Sequence, residues 1–198
     1  MRYVVALLLI LLPGLAIWNQ HRTNGHERAL GAIASEIAKR PVAIHCQGLP
    51  SALVDITNLA GEVVFDHAGA PPDEATLKRD VCRDLKRFPN ARSAPSFDCV
   101  LRVAPCERAV GKIAYAVHVF THEAWHLRGY ADEAKAECFA LQTTAFTAER
   151  LGATPEEARA LARWNLQHAY PHLPSQYQSS ECRDGGALDM RPRISAWP

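Results

Sequence analysis

Apolar residues recur at helical spacing in GHERALGAIASEIAKR (25–40), and Pro41 stops the run, so the pattern predicts a first helix. VAIHC (42–46) and GEVVFD (61–66) are short and β-branched, as strands are, with a turn-rich stretch between them. Pro71-Pro72-Asp73 predicts the opening of a second helix that runs to about Phe88 and ends at Pro89-Asn90. After a loop over 89–96, FDCVLRV (97–103) reads as a third strand closed by Pro105. A long helix from near Glu107 to Gly129 follows, and its upstream part is almost uncharged, which predicts burial on most sides. The next helix begins at Asp132 or Glu133 and ends at Leu151-Gly152. Thr154-Pro155-Glu156-Glu157 opens another, with a threonine cap, proline at the first helical position and a capping-box glutamate; it runs to about Ala169. The tail is rich in Pro, Gly and Ser and predicts an irregular wrap pinned by Cys182. The fold class expected is α+β, a predominantly helical single domain with a small β-sheet.

Charge and cysteine content narrow the setting. The 22 basic and 21 acidic residues leave a formal charge of +1, so no broad basic field for nucleic acid exists. Arg2 precedes an uncharged apolar run from Val4 to Trp18, which reads as an export signal. Gly14-Leu15-Ala16 offers small residues for cleavage, whereas Tyr3 and Trp18 bracket the run as interfacial aromatics do. Residues 1–20 are therefore expected to be a signal peptide or a membrane anchor acting through residues 3–18, ahead of a domain at 21–198. Six cysteines, at 46, 82, 99, 106, 138 and 182, agree with export, because an even count in an exported chain implies disulfides. Cys99 with Cys106 makes a local loop, and Cys138 with Cys182 would tie the tail to the helix after Gly129. None has CxxC spacing, which argues against a cysteine-ligated metal.

The stretch THEAWHLRGYADEAKAEC (121–138) carries the chemistry. On a helix, His122 and His126 project side by side and can each offer an imidazole nitrogen to one ion. Glu123 is offset by about 100°, near the ion without binding it, where it can take a proton from water and pass it to a leaving amine. A catalytic zinc needs a third protein ligand, and an unbroken helix would carry Glu133 roughly 10 Å beyond His126. The helix must break, and Gly129 is where the chain can reverse without penalty.

Three acids compete for the third place. Asp132 completes HExxHxxGxxD, which resembles the metzincins, including the snapalysin-like enzymes whose third ligand is aspartate. Glu133 with Glu137 after HExxH is similar to the gluzincins, in which the first acid binds zinc and the second holds a ligand histidine. Glu133 is preferred, because an aspartate before the helix-forming EAKAECFALQ serves well as an N-cap; Glu137 is the least favoured direct ligand. The resemblance covers about residues 119–140 and implies a zincin-like metallopeptidase. Zn2+ would sit on His122, His126 and Glu133, with Glu123 as general base and then acid, acting on a peptide or protein substrate. Arg128 departs from the usual apolar residue at its place, and the gap from His126 to Glu133 is shorter than in typical gluzincins. Met190 could form a methionine turn, but a gap-filling tail residue is the better reading.

Other readings remain beside this one. His118 continues the same face, but 118, 122 and 126 spread over about 12 Å, so His118 is expected to be buried and hydrogen-bonded behind the site rather than a ligand. His168 and His172 suit a helix end, although one of them, or Tyr170 or Tyr177, could steady an oxyanion. Trp125 is expected in the core behind the helix. Glu123-Ala-Trp-His126 also spells the ExxH unit of di-iron bundles, which needs a second ExxH that the chain lacks. The alternative function is a non-catalytic exported binding domain, on a zincin scaffold or with a structural zinc.

Overall fold

Asn24 accepts the backbone N–H of Glu27, and Glu27 accepts that of Asn24, so a capping box starts α1 (Gly25–Ala38). Leu30, Ile33, Ala34, Ile37 and Ala38 form its inward stripe at i, i+3, i+4, i+7 and i+8. Lys39 ends it in the left-handed region. These positions come from a computed structural model, which describes residues 24–48, 61–62, 65, 69–193 and 197–198. The expected signal or anchor at 1–20 lies outside the described residues. Among those residues no helix is long and apolar enough to cross a membrane.

Among the described residues the sheet has three strands, β1 (Ala43–Cys46), β2 (Gly61–Glu62) and β3 (Glu74–Leu77), in the order β1-β3-β2. The central strand pairs parallel with β1, Ala43 opposite Glu74, and antiparallel with β2, Gly61 opposite Leu77. A second helix over 71–88 is therefore incorrect at its start. Residues 74–77 alternate exposed and buried, with Ala75 and Leu77 inward, and pairing on both edges overrides the helix propensity of Glu, Ala and Leu. The helix, α2 (Arg79–Ala91), starts only after the strand and carries Pro89 inside its last turn instead of stopping there. Of the expected strand over 61–66, residues 61–62 are strand and Phe65 is not, while 63, 64 and 66 lie outside the described residues.

The third expected strand, 97–103, is also incorrect. Pro95–Phe97 is a 3-10 turn and α3 (Asp98–Leu101) follows, with Phe97 and Val100 buried and Leu101 exposed, a helical rather than an alternating pattern. The Cys99–Cys106 bridge and a left-handed Val103 (φ 51°) close this segment into a loop too tight for a strand.

The long helix α4 (Arg108–Leu127) runs through the middle of the molecule, buried without a break from Ala116 to Leu127. It packs against α1, α2, the sheet, α5 (Glu133–Arg150) and α6 (Pro155–His168). Two side-chain hydrogen bonds stitch α4 to α5: Thr121 Oγ1 donates to Thr147 Oγ1 at 2.8 Å, and Trp125 Nε1 to Thr143 Oγ1 at 2.7 Å. Trp125 is thus in the core, as expected. Thr154 and Glu157 form the anticipated capping box of α6.

Three disulfides close the fold: Cys46–Cys82, Cys99–Cys106 and Cys138–Cys182. They suit an oxidising, extracytoplasmic setting. The first joins β1 to α2, and Glu27 Oε1 accepts the N–H of Cys46 at 2.8 Å, so α1, β1 and α2 meet at one knot. Replacing Cys46 and Cys82 with serine is expected to cost about 2–4 kcal/mol. Urea unfolding measures it; an unchanged midpoint would show that packing alone holds the knot.

Candidate metal centre

Leu127 is the last residue of α4, and Gly129 adopts φ 108°, which a residue with a Cβ rarely takes. The N–H of Gly129 bonds to His126 O at 2.8 Å and that of Tyr130 to Trp125 O at 3.3 Å, the two reciprocal bonds of a Schellman end. Arg40 donates to Leu127 O at 2.9 Å, satisfying another terminal carbonyl. The chain reverses here, and Asp132 caps α5 by accepting the N–H of Lys135 at 2.8 Å.

That reversal brings the first turn of α5 over the two histidines. Glu133 Oε2 lies 3.1 Å from His122 Nε2 and 3.2 Å from His126 Nε2, and the two Nε2 atoms are 2.8 Å apart. Among the described residues, His122, His126 and Glu133 are the group whose ligand atoms cluster closely enough for one ion. The preferred third acid is therefore the one brought to the histidines. Asp132 is committed to its cap. Glu137 faces the other nitrogen of His122.

The far side of each ring decides which atom carries a proton. His126 Nδ1 is 2.6 Å from Tyr130 O, which only accepts, so Nδ1 bears the hydrogen and Nε2 of the neutral ring presents a lone pair. His122 Nδ1 lies 2.9 Å from Glu137 Oε2, an ion-pair approach whose angle falls short of a hydrogen bond. A carboxylate there likewise favours hydrogen on Nδ1. Two lone pairs and a carboxylate oxygen then converge within 3.2 Å, an arrangement that needs a shared proton or cation.

Electrostatics point the same way. Burial opposes charge on His122, but the hydrogen bond to Glu133 and the close carboxylates of Glu137 and Glu123 outweigh it and lift the pKa to about 10. Burial also works against ionised Glu133 and Glu137, yet the imidazoles hold each carboxyl down at about 2. With Glu123, three carboxylates surround a centre in which both histidines are more than nine-tenths buried. Two imidazole nitrogens and one carboxylate oxygen are a donor set that fits zinc.

Glu123 is 5% exposed, which excludes a solvated surface role. Together with His122 it lines a cavity of about 390 Å³, bounded also by Gly61, Tyr115, Val119, Leu173 and Tyr177. A Cβ at Gly61 would collide with the Glu123 carboxylate, so the edge strand β2 passes directly over that side chain. Tyr177 sets its ring 5.7 Å from that of His122, and burial together with the nearby glutamates pushes its hydroxyl pKa up. The Tyr170 hydroxyl accepts the N–H of Ser179 at 2.9 Å. His168 faces Val103 O at 3.1 Å, and Met190 is 42% exposed beside Gln142 rather than at the histidines. Sequence reasoning missed Gly61 and Tyr115. Tyr115 lies seven residues before His122 on one helix face, a readable signal; Gly61 gives none.

No family model, curated protein or solved structure matches the chain.

The cap and the centre are separable. Asp132→Ala is expected to cost about 1 kcal/mol of stability and to leave zinc affinity, measured by competition with a chelator, within about twofold of wild type. A large loss of affinity would return Asp132 to the ligand set.

Proposed function

We propose that this chain is an extracytoplasmic zinc-dependent hydrolase of zincin type acting on peptide bonds, released or held at the membrane through residues 3–18. The observation that carries the reading is the convergence of His122 Nε2, His126 Nε2 and Glu133 Oε2 beside a buried Glu123 at the wall of a cavity. Zinc there would supply Lewis acidity, polarising a carbonyl and making water acidic near neutral pH.

The chain's own groups do the rest. Glu137 and Tyr130 O meet the imidazoles at their Nδ1 edges, which leaves Nε2 of each free to hold an ion. Glu123 accepts the proton of the attacking water and returns it to the leaving amine. The half-buried Tyr177, which lines the same cavity, keeps its proton and would donate it as a hydrogen bond to the oxygen that gains charge. The cavity is walled by Val119, Leu173, Pro174 and two tyrosines, which suits an apolar or aromatic substrate side chain next to the scissile bond.

Purified protein, loaded with zinc and given a mixed library of quenched peptides, tests the proposal. Cleavage that a chelator abolishes and added zinc restores is the expected result. Tight zinc binding without cleavage of any peptide would favour the non-catalytic binding domain.

A further inference from the structure

His118 is a buried ionisable group that the proposed chemistry leaves unused. It sits one turn before His122 on α4, 1% exposed, with both ring nitrogens engaged by α5. Nδ1 is 3.0 Å from Thr144 Oγ1, and Nε2 is 2.6 Å from Glu137 Oε1. Thr144 Oγ1 is also 2.8 Å from Ala140 O, and with hydrogen on Nε2 of the neutral ring, Nδ1 accepts the Thr144 hydroxyl. An ionised carboxylate only accepts, so His118 Nε2 carries the hydrogen and donates it to Glu137. The other oxygen of that carboxylate, Oε2, faces His122 Nδ1 at 2.9 Å. One carboxylate therefore bridges two imidazoles, the outer one locked by a threonine and the inner one at the metal centre.

We propose that His118 is a positioning residue for the zinc ligand His122, acting through Glu137 in a buried Thr144–His118–Glu137–His122 relay. This rests on the zinc reading above. A carboxylate has several acceptor directions and a rotatable terminal torsion. Glu137 reaches from α5 across to α4, so a lone contact with His122 would leave its plane free to turn. The contact from His118 fixes Oε1, and with it the direction in which Oε2 meets Nδ1. The approach of Oε2 to Nδ1 lacks hydrogen-bond angle, so that partner alone does not fix the plane. Burial raises the stakes, since without His118 one oxygen of a nearly inaccessible carboxylate loses its donor. Outer partners of metal-bound histidines set ring orientation and basicity and typically change metal affinity by about 10–100-fold.

The test uses the full chain with zinc as the probe. Zinc affinity is measured by chelator competition for wild type, His118→Leu, His118→Gln, Glu137→Gln and the double variant His118→Leu/Glu137→Gln. Thermal unfolding of each metal-free protein is recorded beside it. His118→Leu is expected to weaken zinc about 10–100-fold. His118→Gln, whose amide can still donate to Glu137, recovers part of the loss, and the double variant is no worse than the poorer single one. A merely structural role would lower the unfolding temperature while leaving the affinity of the folded protein unchanged. Overturning results are wild-type affinity in a folded His118→Leu, or fully additive losses in the double variant. If His118→Leu does not fold, Thr144→Val, which frees the outer nitrogen of His118, must show a smaller loss of zinc affinity, and wild-type affinity there overturns the relay. Wild-type protein that binds no zinc removes the metal reading and the relay together, which distinguishes that failure from the others.

Discussion

Glu123→Gln is expected to keep its zinc and to lose hydrolysis by about 10²–10⁴-fold, the usual worth of a positioned general base and acid. Glutamine matches glutamate in shape, so it fits beneath Gly61, where added bulk would collide, and the cavity keeps its form. It cannot accept a proton from water at neutral pH. Because the carboxylate is not among the three converging ligand atoms, the metal stays. The measurement is peptide turnover beside zinc stoichiometry on the same preparation. Unchanged turnover would remove Glu123 from the chemistry, and loss of zinc would make it a ligand.

Glu133→Ala has the opposite signature. It removes the oxygen that sits 3.1 and 3.2 Å from the two Nε2 atoms, leaving two imidazoles where a catalytic zinc has three protein ligands. Affinity is expected to fall by more than about 100-fold, beyond what outer partners of a ligand contribute, and activity should follow affinity. The variant should still fold. Glu133 is partly exposed at the first turn of α5, and the cap of that helix is Asp132. Chelator competition decides; undiminished affinity would hand the third place to another group.

The convergence of His122, His126 and Glu133 was readable in the sequence because each step that produces it is local. HExxH fixes two histidines on one face, Gly129 permits the reversal, and Asp132 takes the cap, which leaves Glu133 in the first turn of α5. Each step is a short-range backbone rule, and the hydrogen bonds at Gly129 and Lys135 bear it out. Of the disulfides, Cys99–Cys106 was legible for the same reason of proximity, and Cys138–Cys182 as the tie between the tail and the helix after Gly129. What the sequence hid was long-range. Residues 74–77 carry helix-forming side chains but become the central strand because β1 and β2 pair with them from distant parts of the chain. Residues 97–103 have the short apolar character of a strand, yet a short disulfide loop and the burial of Val100 select a helical turn. Gly61, the residue that lets an edge strand lie over Glu123, looks like any other turn glycine until the fold places it.

The central claim is that two imidazole nitrogens and one glutamate oxygen hold a single zinc ion. X-ray absorption at the zinc edge of the purified protein tests it most directly. The account predicts one zinc with two imidazoles, one carboxylate oxygen and one light exchangeable ligand at about 2 Å, the carboxylate contribution disappearing in Glu133→Ala. Protein without stoichiometric metal, or an ion held by a closed set of four protein ligands, would contradict it.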